Sequence, residues 1–159
     1  MVRQRFFLAA TIITLAIHSM AAPITELKIR NIAKGGFSGI TESSRQVMTN
    51  QTAWLKFWGR HSVRNVPPPN APEIDFEKET ILAVTMGQKN SGGYVIEIIR
   101  VEKGEDHVTV TVAQRSPPPG SFGLAALTAP FHIVAIPKTS VKVEFKEAGA
   151  ENSSSPAKP

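Results

Sequence analysis

Two short apolar runs flank a polar, glycine-bearing loop near the middle of the chain, and this arrangement constrains the fold most. The first run is Ile81–Val84 and the second is Tyr94–Ile96, with three glycines in the loop between them. β-Branched and aromatic residues favour strands, and glycine adopts positive φ angles at little steric cost. The pattern predicts two neighbouring strands joined by a loop that stands outward from the fold.

A β-hairpin is predicted immediately after this loop. Its arms are Tyr94–Glu102 and His107–Gln114, joined by the turn Lys103–Asp106, and valines alternate with threonines in the second arm. In the first arm the apolar residues change phase at Ile98–Ile99. This change indicates either a β-bulge or a strand that is buried on both faces.

Further strands and one helix are predicted from the periodicity of the remaining apolar residues. The strands are Ile24–Ala33, Ser44–Thr49, Thr80–Met86, Phe131–Ile136 and Val141–Phe145. The helix lies near residues 51–59, with Thr49 or Asn50 as its N-cap, and it contains both tryptophans. We expect these tryptophans to pack into the core against a sheet, and an exposed aromatic patch is the alternative.

The predicted fold class is mainly β, of a β-rich α+β type. The strands would form one antiparallel sheet, a sandwich of two packed sheets, or a barrel-like arrangement, with the short helix near residues 51–59 added. No crossover helices separate the later strands, which argues against a parallel α/β fold. We expect residues 22–146 to form a single β-rich domain and residues 147–159, rich in Ser, Ala and Pro, to be a disordered tail.

The first 21 residues have the pattern of a signal peptide. Arg3 and Arg5 precede the apolar run Phe6–Ile17, and small residues follow at Ser19 and Ala21. The run is shorter than the roughly 20 residues that span a bilayer, which favours cleavage near Ala21 over an uncleaved membrane anchor. The protein is therefore expected to be secreted or periplasmic, with no stable membrane anchor.

Charge and cysteine content exclude several classes of function. The formal net charge is +5, but the basic residues are spread along the chain without a stripe that would indicate nucleic-acid binding. The chain has no cysteine, so it has no disulfide, no thiol nucleophile and no thiolate metal site.

No catalytic or metal-binding pattern is present in the sequence. His61, His107 and His132 have neither metal-ligand spacing nor a nucleophile in a recognisable motif. The alternating acidic residues from Glu73 to Glu79 could share one face and collect calcium, but a solvated face explains them better. We therefore expect a non-enzymatic protein without a metal or a cofactor.

The order of these features resembles the C-terminal domain of PrcB-type protease complex subunits. The segments that carry the resemblance are Asp75–Glu79, Met86–Lys89, Gly92–Tyr94, Pro119–Gly120 and Thr128–Val134. They lie within roughly Trp54 to Phe145. The resemblance implies an exported, non-catalytic partner of a secreted protease complex.

A looser similarity connects the loop Asn90–Tyr94 with the Asn-Pro-Thr-Thr-Gly-Tyr loop of chagasin-type cysteine protease inhibitors. Those proteins are immunoglobulin-like sandwiches that wedge loops into a protease cleft. The proline and threonines of that loop are missing here, and Arg115–Pro117 is the nearest approach to their Arg-Pro-Trp loop. The glycines could also do no more than turn a hairpin.

The sequence thus predicts an exported accessory protein that contacts a partner through its glycine-rich loop. A loop-wedge protease inhibitor is the alternative, and the partner would be another exported protein, with a protease as one candidate. The proline-bearing loop Arg115–Pro130 would help to form the contact. The expected partner-binding residues are Gly87, Gln88, Lys89, Asn90, Ser91, Gly92, Gly93, Tyr94, Arg115, Pro119 and Gly120.

Overall fold

A computed structural model describes residues 23–120 and 125–149 of the chain. The predicted signal peptide and most of the predicted tail lie outside these residues. In chain order the elements are β1 (Thr25–Glu26), β2 (Arg30–Gly35), β3 (Ser43–Met48), α1 (Gln51–His61), β4 (Glu79–Met86), β5 (Val95–Lys103), β6 (His107–Arg115), β7 (Phe131–Pro137) and β8 (Lys142–Glu147).

The strands form two four-stranded sheets, which confirms the mainly β fold class and shows the arrangement of two packed sheets. Sheet A has the strand order β1-β5-β6-β8, and sheet B has the order β2-β7-β4-β3. All pairings are antiparallel except that of β6 with β8, which is parallel. This exception arises because the chain crosses through β7 in sheet B before it returns to sheet A, and such a crossover permits parallel pairing.

The predicted strand Ile24–Ala33 is divided between the two sheets. Thr25 and Glu26 pair with β5, whereas the residues from Arg30 onward pair with β7. The intervening Leu27 and Ile29 pack against the core cluster between the sheets. The prediction that this segment is extended with alternating apolar residues is therefore confirmed. The segment is not one strand, however, because its first part pairs in sheet A and its second part in sheet B.

The core is built around β4 and β7, which are buried on both faces. Leu82, Val84 and Val134 pack against sheet A, whereas Ile81 and Ile133 pack against the helix side. Burying each such side chain stabilises the fold by about 1.5–3 kcal/mol. This double burial explains why both strands are continuous apolar runs in the sequence.

Helix α1 covers the outer face of sheet B. The Asn50 side chain accepts a hydrogen bond from the Ala53 amide at 2.9 Å and so caps the helix. Trp54 is fully buried, which confirms the prediction that the helix contributes aromatic side chains to the core. The Trp54 and Trp58 indole N–H groups donate to the carbonyl oxygens of Pro72 and Pro69, so the proline segment is held over the helix.

A histidine connects the two sheets at an irregularity of β5. The register between β5 and β6 shifts between Ile98 and Arg100, so of the two interpretations of the phase change in the sequence the β-bulge is the one observed. There the Ile98 amide donates to His132 Nδ1 at 2.9 Å, and His132 Nε2 lies 3.2 Å from Asn31 Oδ1. Nδ1 must therefore be the unprotonated nitrogen, and Nε2 carries the proton that it donates to Asn31.

This geometry predicts that the protein loses stability in mild acid. Burial lowers the pKa of His132, with Lys34 adding to this effect and Glu97 opposing it, and burial also lowers the pKa of His61. Below the ordinary imidazole pKa of about 6.5, the unfolded chain takes up protons that the folded protein does not. The free energy of unfolding should therefore fall between pH 7 and pH 5, as measured by urea denaturation.

The variant His132→Phe tests the assignment of this effect. It removes one titrating group, so its stability should depend less steeply on pH than that of the native protein. At pH 7 the free energy of unfolding of the variant should be about 1–3 kcal/mol lower than that of the native protein, because the Ile98 amide is left without its acceptor. An unchanged pH dependence in the variant would show that His132 does not cause the acid sensitivity.

Candidate functional site

The glycine loop Gly87–Tyr94 connects the two sheets, and it does not join paired strands. β4 lies in sheet B and β5 in sheet A, so the expectation of two neighbouring, paired strands was wrong. The physical reason is that both sides of β4 are already occupied, by β3 and by β7. The loop therefore crosses from one layer to the other at one end of the molecule.

Backbone hydrogen bonds hold this loop in place. The Gln88 amide donates to the Thr41 carbonyl at 2.9 Å, and Lys89 and Thr128 exchange two backbone hydrogen bonds of 2.8 and 2.9 Å. The Thr128 hydroxyl also donates to the Ser91 carbonyl at 2.8 Å. The loop thus has several fixed points along its length.

Part of the loop is exposed although its backbone is fixed. Gln88, Asn90 and Gly93 are exposed, whereas Gly87 is buried at the end of β4. The remaining loop residues, Lys89, Ser91, Gly92 and Tyr94, are half-buried. The amides, hydroxyl and glycine backbone predicted to contact a partner are therefore presented from a constrained segment.

The structure brings the start of the proline-bearing loop against the glycine loop. Gly93 has a φ angle of 89°, and a β-carbon there would lie 2.9 Å from Pro117 Cβ. Arg115 lies directly opposite Val95 in the β5–β6 ladder. Pro119 and Gly120 follow Pro117 and are exposed, as Arg115 is.

Two exposed apolar residues next to the loop were not predicted from the sequence. Phe37 is 56% exposed and Leu127 is 49% exposed. Phe37 is bridged to Ala129, and the adjoining Thr128 is bridged to Lys89, so these chain segments lie side by side. In the sequence, Phe37 follows two glycines and Leu127 follows two alanines. This local pattern does not indicate that the two distant segments lie side by side.

We call the residues of these segments the loop surface. It consists of Gly87–Tyr94, Arg115–Gly120, Phe37 and Leu127–Thr128. Lys89 and Arg115 are its cationic residues, and its segments contain no acidic residue. Lys89 Nζ lies 5.4 Å from the centroid of the Tyr94 ring, a cation–π arrangement that orients the lysine. The loop surface therefore combines positive charge, exposed apolar groups and exposed backbone.

A serine–histidine pair occurs outside the loop surface, but its geometry serves the fold. Ser38 Oγ lies 3.0 Å from His61 Nδ1 and accepts a hydrogen bond from the Ile40 amide at 3.0 Å. Both side chains are buried, and the His61 ring packs edge-on against Phe131. A nucleophile must be reachable by its substrate, so this pair is best explained as a connection between the β2–β3 segment and the end of α1.

A cluster of metal ligands and a membrane-crossing helix are both absent from the described residues, 23–120 and 125–149. His, Asp and Glu side chains there form no cluster of three that could hold a metal ion. In the same part of the chain, no helix has both the length and the apolar composition needed to cross a membrane.

The contact between the two loops predicts a selective sensitivity to side chains at Gly93. Gly93→Ala should lower the free energy of unfolding by about 1–2 kcal/mol, because alanine disfavours positive φ and its β-carbon would meet Pro117. Gly36→Ala is the matched control, since a β-carbon at Gly36 meets no atom within 4 Å. Equal stability of the two variants in urea denaturation would contradict the geometry.

Comparison with known proteins agrees with the resemblance found in the sequence. The family model described as PrcB C-terminal matches residues 80–137, which run from the second residue of β4 to the end of β7. No curated protein and no solved structure gives a significant match. The similarity to chagasin-type inhibitors stays a prediction. Residues 80–137 are thus similar to the PrcB C-terminal family, and this match suggests an accessory rather than a catalytic subunit of a protease complex.

Proposed function

We propose that this protein is an exported, non-catalytic accessory protein that binds another exported protein through the loop surface. The family match supports an accessory role and implies a protein partner. The observation that carries the mode of binding is the fixed glycine loop. Because its backbone is already ordered before contact, docking costs less conformational entropy than it would for a mobile loop.

The composition of the loop surface supports a protein partner. Exposed aromatic and aliphatic side chains that are surrounded by polar groups occur at the centres of protein interfaces. Phe37 and Leu127 supply the apolar groups, and Lys89 and Arg115 supply charge. The loop surface therefore favours a partner with an apolar depression and a negatively charged rim.

Export is part of the proposal and is supported by the sequence of residues 1–21. The basic start, the apolar run and the small residues before Ala21 are the features that a signal peptidase recognises. Mass spectrometry of the protein from cells should find a chain that begins at Ala22. Recovery of a chain that keeps residues 1–21 in the cytoplasm would overturn this part.

Charge reversal on the loop surface tests the docking role. The chain carrying Lys89→Glu and Arg115→Glu should lose its partner when it is used as bait in the native envelope fraction. Both substitutions change side chains only and leave the backbone hydrogen bonds of the loop in place. Removing a charge that is closely paired across an interface weakens the free energy of binding by about 1 kcal/mol or more. Lys56→Glu is the control, because Lys56 is exposed on α1.

The outcomes of this capture experiment separate the alternatives. Loss of the partner in the double variant and retention in the Lys56→Glu control support docking through the loop surface. Equal capture of the partner by the native protein, the double variant and the Lys56→Glu control would place the contact elsewhere on the molecule. Quantitative mass spectrometry of the captured proteins provides the measurement.

A loop-wedge inhibitor is a second candidate, favoured by the same fixed loop. Such an inhibitor blocks a cleft with a rigid backbone and requires no reactive residue. If this function is correct, a papain-like protease should be inhibited at a one-to-one ratio, and Gly93→Ala should weaken the inhibition. Full protease activity in the presence of excess protein would exclude this second candidate.

A further inference from the structure

Strand β8 forms one edge of sheet A and is open along its length. In the described part of the chain, no strand pairs with β8 on the side away from β6. None of its six residues, Lys142–Glu147, is buried, in contrast to the central strands β4 and β7. An exposed edge strand presents a row of unpaired N–H and C=O groups, which can pair with another chain.

The main-chain groups of Val143 and Phe145 point toward this open edge. The Ala148 amide donates to the Val112 carbonyl at 2.7 Å, so it faces β6. Successive residues of a strand direct their N–H and C=O groups to opposite sides, and the parallel register with β6 is unbroken along the whole of β8. Val143, Phe145 and Glu147 therefore direct these groups away from β6.

The described residues that follow β8 lie on the side of β6 and β5. Ala148 and Gly149 line one cavity together with Ile99 of β5 and Thr111 of β6. The chain that leaves β8 thus turns toward the other strands of sheet A. These two residues leave the opposite side of β8, which is the open edge, accessible.

The Glu147 side chain is also held away from the edge. Its carboxylate accepts hydrogen bonds from Arg45 Nη2 at 2.7 Å and from Gln114 Nε2 at 2.9 Å. Gln114 lies two residues after the buried Val112, so both side chains are on the face of β6 that is directed toward sheet B. The carboxylate therefore lies toward the space between the sheets, and the main chain of Glu147 remains available for pairing.

The outward face of β8 carries charges that alternate in sign. Lys142, Glu144 and Lys146 are exposed on this face, whereas Val143 and Phe145 pack against the core. Two antiparallel copies of the strand with Phe145 opposite Phe145 bring Glu144 of each copy opposite Lys146 of the other. Opposite charges that face each other on neighbouring strands stabilise the pairing. The strand is therefore complementary to a second copy of itself.

Two other registers are less favourable. With Glu144 opposite Glu144, like charges face each other across the strands, which destabilises the pairing. With Val143 opposite Val143, the pairing extends to Val141, whose amide already donates to the Thr139 hydroxyl at 3.4 Å. The register centred on Phe145 avoids both problems and uses all the main-chain groups of β8 that face the edge.

We propose that two copies of this protein associate through β8 and join their copies of sheet A into one continuous sheet of eight strands. Val143, Phe145 and Glu147 of each copy supply the main-chain hydrogen bonds, and the pairs of Glu144 with Lys146 fix the register. The arrangement is two-fold symmetric, so each contact occurs twice. β8 contributes no residue to the loop surface, so this association is independent of the proposed function.

The oligomeric state of the purified protein tests the proposal. In sedimentation velocity, the native protein should change from monomer to dimer as its concentration rises. Glu144→Lys should weaken the association by about tenfold or more, because it places like charges at both symmetric positions. Glu73→Lys is the matched control, since it changes the net charge equally and Glu73 is exposed outside β8. This control should dimerise as the native protein does.

A charge swap tests the register. The double variant Glu144→Lys, Lys146→Glu exchanges the two charges within each chain, so opposite charges again face each other across the interface. Its dimerisation should return to nearly that of the native protein. In hydrogen exchange of the native protein, the Val143 and Phe145 amides should become protected as the concentration rises, whereas the Lys146 amide already faces β6 and should change little.

The other outcomes decide against the proposal. A monomer over the whole soluble concentration range would show that Lys142 and Lys146 keep this edge unpaired. A dimer that Glu144→Lys leaves intact, or that forms without protection of the Phe145 amide, would assign the association to another surface. Failure of the charge swap to restore the dimer would overturn the pairing of Glu144 with Lys146.

Discussion

Double burial of β4 and β7 is the constraint on which the rest of the structure depends. Sheet A packs on one face of these strands and α1 on the other, so the molecule has two core clusters separated by one layer of backbone. Because both sides of β4 are also paired within sheet B, the chain that leaves Met86 has to cross to the other sheet. The position of the glycine loop is a consequence of this crowding.

Local sequence signals predicted the elements well, because their cause lies within a few residues. Asn50 marks the start of α1, and the phase change at Ile98–Ile99 marks the bulge of β5. The sheet change after Glu26 and the parallel pairing of β8 were not predictable in this way. Leu27 and Ile29 would alternate with polar residues in the same way whether the strand stayed in one sheet or changed sheets. Only long-range packing therefore determines which sheet each part of the strand joins.

The candidate site shows the same division between local and long-range information. Glycine spacing identified the loop from Gly87 to Tyr94, and the structure shows that its start and its middle are fixed by Thr41 and Thr128. Those two threonines lie far from the loop in sequence, and no periodic pattern connects them with it. Phe37 was not among the predicted site residues for the same reason. Its exposed ring lies next to the loop only because the fold brings it beside the segment that contains Leu127.

The placement of both tryptophans in α1 has a practical consequence for experiments on this protein. Their indole N–H groups donate to carbonyl oxygens of the proline segment, and Trp54 is sealed from solvent. Intrinsic fluorescence will therefore follow the integrity of this helix and its covering segment. The tryptophan signal of global unfolding thus comes from residues outside the loop surface. Unfolding can therefore be followed separately from binding at the loop surface.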